Sequence, residues 1–294
     1  MNKGIFKYIL TKIGLLSTAL RFKNIYIQTR TVFLRFKYPK GKLIRCNGGE
    51  IFVDFHDANY LWYYGNSEFL RLEHIAFKSL LAKRSPRIII DIGAHWGIFP
   101  SQLNADNSPL CSAIERVICI EADPTNILNL TKTVDTITKF KVEVAPFAIS
   151  DSESTISLYK GGGTCLQTYE RPASKYVCDV KAAPLQVILA RYSIMDEKVT
   201  HIKLDIDGYE PAFFYGASEF LKRHKPLLLI EFWANGLIAA GFNLEKYWEY
   251  LNRNYYITET VYPGATYLNL TEEDLPYLVD KTLKGITNLL LIPR

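Results

Sequence analysis

A chain of 294 residues is long enough for one well-packed α/β domain with an N-terminal extension, and its 48% hydrophobic and 22% charged content excludes a disordered or low-complexity protein. The formal charge of +5 is segregated: residues 1–45 carry eleven Lys or Arg and no acid, whereas the remainder carries 24 basic against 30 acidic residues. This pattern excludes a uniformly basic, nucleic-acid-coating protein, and no nucleic-acid partner is expected.

Residues 1–30 read as a basic amphipathic helix, with Ile5, Phe6, Ile9, Leu10, Ile13, Leu15 and Leu16 interleaved with Lys3, Lys7 and Lys12. The run is too charged to span a bilayer, and no small-residue cleavage site marks it as a signal peptide. Two readings stand: an interfacial helix in peripheral contact with a membrane, or a helix docked on its own domain. The expected location is the cytoplasm, at the membrane surface on the first reading.

Residues 31–85 read as a small β lead-in and a covering helix. Alternation at Val32-Leu34-Phe36 and Ile51-Val53-Phe55, around a turn at Asn47-Gly48-Gly49, predicts short strands. Ser67 opens a helical run through Phe69, Leu72, Ile75, Ala76, Leu80 and Leu81, which Ser85-Pro86 stops. From 86 to 294, strand-length apolar runs alternate with amphipathic helices: Arg87 to Ile92, Val117 to Glu121, Val142 to Ile149, His201 to Ile206 and Leu227 to Phe232. Such alternation predicts an α/β domain with a mostly parallel sheet and helices on both faces. Thr155 to Tyr159 and Tyr176 to Lys181 read as extra strands flanking a candidate lid, Gly161-Gly162-Gly163, with Thr164 and Tyr169. Closing strands are expected at Tyr255 to Thr260, Ala265 to Leu270 and Asn288 to Ile292.

The chemistry-bearing residues gather at the ends of these strands. Ile88-Ile89-Ile90 runs into Asp91-Ile92-Gly93-Ala94-His95-Trp96-Gly97, where a nucleotide-binding βα turn belongs. The spacing is GxxxG, without the GxGxxG of dinucleotide sites or the Lys-Ser/Thr of a P-loop. Asp91 repels a pyrophosphate but suits the ammonium and sulfonium charges of S-adenosylmethionine; an ordinary tight connection fits the turn equally well. Glu121, ending the next strand, is placed to accept ribose hydroxyls, while Asp123 caps the helix beginning at Pro124. Lys203, Asp205 and Asp207 fall on one side of a later strand, either as an ion pair and a cap or as a site at the carboxyl rim, and Glu231 ends the strand after that.

In the order DIGAHWGIF, ICIEADP, APFAISD, IKLDIDGYE and KPLLLIEF, these segments resemble the FkbM family of methyltransferases over about residues 60 to 294. The resemblance implies a Rossmann-like methyltransferase fold with a seven-stranded sheet and an enzyme that uses S-adenosylmethionine as cofactor. It further implies O-methylation of a hydroxyl on a sugar, glycan or secondary metabolite as small-molecule acceptor. Against the family pattern, His95 stands in place of Asn, Asp207 in place of Glu, and Gln186 in place of an Asp. We expect cofactor binding by Asp91, Gly93, Ala94, His95, Gly97 and Glu121, with Ser150 and Asp151 at the adenine edge. Asp205, Asp207 and Glu210 are expected on the acceptor side, with His95 as a further candidate base.

Five cysteines without a CxxC pair and five histidines without HxH or HxxxH spacing suggest neither disulfides nor a metal centre, so no metal site is expected. A divalent cation held by the clustered carboxylates is the subordinate mechanism. The alternatives to an enzyme of this kind are a dinucleotide oxidoreductase, which the GxxxG spacing disfavours, and a non-catalytic Rossmann-like nucleotide-binding or membrane-docking protein, which leaves the acidic strand ends unexplained.

Overall fold

The computed structural model describes residues 29–46, 48–57, 67–160, 166–167, 174–194, 198–261, 266–283 and 285–294. Residues 1–28 of the helix expected over 1–30, and the Gly161–Gly163 loop with Thr164 and Tyr169, lie outside these. Backbone contacts divide the chain into two units, Met1–Lys42 with Val53–Gly65, and Leu43–Phe52 with Asn66–Arg294.

In the smaller unit, residues 29–37 are helical, which corrects the strand expected at Val32-Leu34-Phe36. Thr31, Leu34, Arg35 and Tyr38 turn inward at helical spacing while Val32, Phe33 and Phe36 are exposed. The alternation shared Leu34 with this second pattern, and local β propensity is weak enough for packing to override it. Arg35 Nε donates to the Phe55 carbonyl at 2.7 Å, and the Tyr38 and Phe55 rings lie 6.1 Å apart.

The larger unit is built on an eight-stranded sheet. Strands β1 (Lys42–Cys46) and β2 (Gly49–Val53) form a separate two-stranded sheet. It is fastened by Ser101 Oγ donating to the Glu50 carbonyl (2.7 Å) and by Thr133 Oγ1 accepting from the Phe52 amide (2.9 Å). Helix α1 (Ser67–Leu81) follows as expected. The main sheet comprises β3 (Ile88–Ile92), β4 (Arg116–Glu121), β5 (Lys141–Pro146), β10 (Val199–Leu204), β11 (Leu227–Phe232), β12 (Tyr255–Val261), β13 (Thr266–Leu270) and β14 (Thr287–Pro293), in the order β13-β12-β14-β11-β10-β3-β4-β5. Strands β5, β4, β3, β10 and β11 are mutually parallel, and β14 runs antiparallel between β11 and β12. The hairpin partner β13 makes eight strands where seven were expected.

Alternate residues of the buried strands feed two cores. Ile88, Ile90, Ile118, Ile202, Leu204 and Leu228 enter one with helices α5 (Leu185–Ala190), α6 (Glu210–Gly216), α7 (Ser218–His224), α8 (Ala234–Ala239) and α9 (Leu244–Asn254). Ile89, Val117, Cys119, Leu227 and Leu229 enter the other with α1, α2 (Ile98–Ala105), α3 (Pro109–Ser112) and α4 (Pro124–Val134). A parallel sheet covered on both faces, with strand order reversing between β3 and β10, is the Rossmann-like α/β arrangement, and its ligands bind at the carboxyl ends beside that reversal.

The expected run from Val142 to Ile149 breaks at Pro146-Phe147. Its end, β6 (Ala148–Ile149), pairs with β9 (Lys175–Ala183) in a second sheet with β7 (Ser154–Lys160) and β8 (Leu166–Gln167). Proline has no N–H to continue a ladder, so the strand leaves the main sheet there. Leu158, Val180, Ala148 and Ala182 of this sheet pack against Ala122, directly after β4.

Candidate functional site

The reversal point is also where charge is buried. In the parallel register Asp91 of β3 lies between Lys203 of β10 and Cys119 of β4, so the three side chains leave the same face of the sheet. Asp91 is completely buried, and neither carboxylate oxygen has a hydrogen-bond partner among the described residues. Burial, only partly offset by the Lys203 ammonium, pushes its pKa up to about 7. Lys203 is itself buried; its Nζ donates to Asp205 Oδ2 at 2.9 Å and lies 3.5 Å from Glu73 Oε1. Burial alone would lower the Lys203 pKa, but Asp205, Glu73 and Asp91 together hold it well above the ordinary lysine value. Burial raises Glu73, with Lys203 opposing. One fixed ammonium thus faces three carboxylates, leaving an excess of negative charge where polar groups are costly to bury without partners.

Glu73 was not among the sequence candidates. It projects from α1 on the line of Leu70, Ala76, Phe77 and Leu80, all buried, so an acid in that stripe was the available signal. The sequence reading took the stripe as Phe69, Leu72, Ile75, Ala76, Leu80 and Leu81, of which Ala76, Leu80 and Leu81 are buried, and passed over Glu73 between them.

The glycine turn is shaped by crowding. Gly93 has φ +78°, and a Cβ there would lie 1.8 Å from the Asp205 carbonyl oxygen, while the Asp205 amide donates to the Ile92 carbonyl at 3.0 Å. Only glycine lets the ends of β3 and β10 approach this closely. Gly97, at φ +80°, opens α2, and His95 between them takes φ 49°. Trp96 is fully buried and donates to Asn126 Oδ1 at 3.1 Å.

Glu121, expected to accept ribose hydroxyls, is already engaged by backbone amides. Its Oε1 accepts from the amides of Ala122 (3.0 Å) and Asp123 (2.8 Å), and Oε2 accepts from the His95 amide (2.7 Å). A carboxylate following a strand end is within reach of the next two N–H groups, and it binds them instead of waiting for a ligand. Glu121 therefore ties β4 to the glycine turn, with lone-pair capacity remaining at Oε2. Its pKa is raised by burial against those hydrogen bonds. Asp123 caps α4 as expected, accepting from the Thr125 amide at 2.8 Å.

On the other side of the reversal, β10 ends in Asp205-Ile206-Asp207-Gly208. Asp205 is partly exposed, and Asp207 takes φ 56°. Glu210, buried under the turn, accepts through Oε1 from the amides of Ile206 (3.1 Å) and Gly208 (3.3 Å). Its Oε2 has no partner among the described residues, and burial pushes its pKa up to about 8, so it holds a proton at neutral pH. Glu231, next to last in β11, is driven well above the carboxylate range by burial and by Asp205, Asp207 and Glu210. Ser150 and Asp151 follow β6, where a Cβ on Gly216 would strike the Ser150 carbonyl at 2.6 Å; Ser150 Oγ donates to Asp151 Oδ1 at 3.4 Å, and Asp151 acts electrostatically on Tyr209. The structure thus joins these two residues to the turn at 205–210. Gln186, where the family pattern has Asp, donates to the Gly216 carbonyl at 3.0 Å and so supports α6. His95 is driven down to about 3 by burial and the Lys203 charge, which keeps its ring neutral.

No protein-family model matches the sequence, and no curated protein matches it. Among solved structures, the chain is similar to a FkbM methyltransferase from Methylobacillus flagellatus (20% identity, TM-score 0.42), over 70% of this chain and 44% of that one. It is also similar to the plantazolicin methyltransferase BamL in complex with a triazolic desmethylPZN analog and SAH (11% identity, TM-score 0.41, over 77% and 84% of the chains). A third likeness is to an rRNA methylase from Streptococcus thermophilus (11% identity, TM-score 0.38, over 74% and 92%). The chain spans less than half the length of the FkbM structure, and likenesses of this strength carry no residue-by-residue correspondence. The FkbM resemblance therefore rests on the sequence motifs, and the chemistry on the residues described above.

Proposed function

We propose that this protein is an S-adenosylmethionine-dependent methyltransferase that transfers a methyl group to a hydroxyl oxygen of a sugar, glycan or secondary metabolite. The observation that carries this reading is Asp91: a fully buried carboxylate at the reversal of strand order, with both oxygens unpartnered among the described residues. A cationic ligand supplies the missing partner, whereas a pyrophosphate would add charge to a cluster already in acidic excess. The donor set fits the cofactor: Asp91 for its ammonium and sulfonium charges, the Gly93-Ala94-His95-Trp96-Gly97 backbone for close approach, and the remaining Oε2 capacity of Glu121 for a ribose hydroxyl.

When bound, the cofactor supplies an electrophilic methyl on a sulfonium. The chain must orient the acceptor hydroxyl and take its proton. Asp205 is the group we assign to the proton, because, on the partly exposed rim it shares with Asp207, it is the carboxylate whose orientation Lys203 fixes at 2.9 Å. Asp207 lines the acceptor side in this reading. Glu210 is a positioning residue: its buried, protonated carboxyl holds the 205–208 turn through two amides. His95, neutral and weakly basic, contributes its backbone amide to Glu121 and is the poorer base.

Formation of S-adenosylhomocysteine on a panel of hydroxylated sugars and polyketides tests this. Turnover on a hydroxyl acceptor, reduced at least a hundredfold in Asp205→Asn with cofactor affinity unchanged, is the expected result. Methylation confined to nitrogen acceptors, or an Asp205→Asn variant with full turnover, would overturn it.

A further inference from the structure

The smaller unit carries a surface that the methyltransferase reading leaves unused. Val32, Phe33 and Phe36 are 63%, 57% and 87% exposed on the helical residues 29–37. At about 100° per residue these three occupy one arc of the helix. Arg30 and Lys37 lie along one border of that arc, while Arg35, beyond the other border, turns inward to the Phe55 carbonyl. Lys37 Nζ sits 5.7 Å from the Phe33 ring centroid and 5.4 Å from that of Tyr38. Lys40, Lys42 and Arg45 follow, which makes six basic residues and no acid between 29 and 45.

We infer that this helix face docks on an anionic lipid bilayer, with Val32, Phe33 and Phe36 entering the headgroup–acyl boundary and the surrounding Arg and Lys side chains meeting lipid phosphates. Two large aromatic side chains exposed side by side are costly in water and gain free energy on entering the interface, while the flanking cations gain from a negative surface. A nucleic acid would satisfy the cations but leave the apolar stripe in water, and the remainder of the chain, with 24 basic against 30 acidic residues, adds no attraction. A second copy stacked face to face would bring two uniformly basic surfaces together. Among the described residues no helix is long and apolar enough to cross a membrane. On the methyltransferase reading proposed above, the consequence of this docking is that acceptor encounters occur at the lipid surface.

Flotation of the full chain with vesicles tests the inference. The protein is expected to float with equimolar phosphatidylcholine and phosphatidylglycerol at physiological salt and not with phosphatidylcholine alone. Phe33→Ser/Phe36→Ser, at two exposed positions, should weaken partitioning at least tenfold with the circular dichroism spectrum unchanged. A Phe36→Trp variant should add blue-shifted emission on the anionic vesicles, which adsorption by charge alone would not give. The inference is overturned if the wild type does not float, or if the double serine variant floats as well as the wild type. Binding to a DNA duplex as tight as to the anionic vesicles at the same salt, with the emission of the Phe36→Trp variant unshifted on lipid, would likewise overturn it in favour of a nucleic-acid surface.

Discussion

Asp91→Asn separates a ligand-binding residue from a structural one, because the two roles predict opposite effects on stability. The Asp91 carboxyl is moved by burial from 3.8 to about 7. Between those values the folded chain keeps a proton that the unfolded chain releases, so the stability present at low pH is lost as pH rises through about 7. At 1.36 kcal/mol per pKa unit, this one group costs the unliganded fold on the order of 4 kcal/mol above pH 7, of which roughly 3 kcal/mol accrues between pH 5 and 8. Asn keeps the shape and removes the titration, while Lys203 retains Asp205 and Glu73 as partners. Urea unfolding of wild type and variant at pH 5 and pH 8 measures this directly. The variant should gain stability relative to wild type by up to about 3 kcal/mol over that range, while S-adenosylmethionine binding weakens at least tenfold. In the wild type, binding should tighten from pH 6 to 8 as Asp91 ionises, and the variant should show no such trend. A variant that becomes less stable than wild type as pH rises would refute the reasoning, since Asp91 would then be a charge that the fold requires.

Three further outcomes follow from the same geometry. Lys203→Met leaves Asp91, Glu73 and Asp205 without their shared cation and should cost about 3–5 kcal/mol at pH 8, with much of the loss recovered at pH 5, as read by urea midpoints. Gly93→Ala drives a Cβ to 1.8 Å from the Asp205 carbonyl and forces a residue into φ +78°; cofactor binding should fall at least a hundredfold in calorimetry even where circular dichroism shows the fold retained. Because Glu210 is protonated below about 8, Glu210→Gln should be nearly silent in turnover at pH 7, whereas Glu210→Ala frees the 205–208 turn and should lower kcat more than tenfold with KM for the cofactor unchanged.

The parallel strands were legible because buried strands are continuous apolar runs, and the acids that interrupt them, Asp91, Glu121 and Glu231, stand out against that background. Pairing of Lys203 with Asp205 was legible from strand alternation. Four features were not read. The helix at 29–37 shares Leu34 between a period of two and a period near 3.6, and only packing selects between them. The break at Pro146 carried its own signal, a residue that cannot continue a ladder, but the apolar run through Ile149 concealed the change of sheet. Glu73 belongs to an element distant in sequence from the strand ends, and its role needed the register that sets Lys203 beside Asp91. The occupancy of Glu121 by neighbouring amides likewise depends on how the glycine turn folds back over β4, which spacing does not specify.

Titration calorimetry of the full chain with S-adenosylmethionine, S-adenosylhomocysteine and NAD, repeated on Asp91→Asn, tests the central claim most directly. The account predicts micromolar binding of the sulfonium cofactor, weaker or no binding of NAD, and loss of the former in the variant. Tighter binding of NAD, or sulfonium binding unchanged without the Asp91 charge, would contradict it.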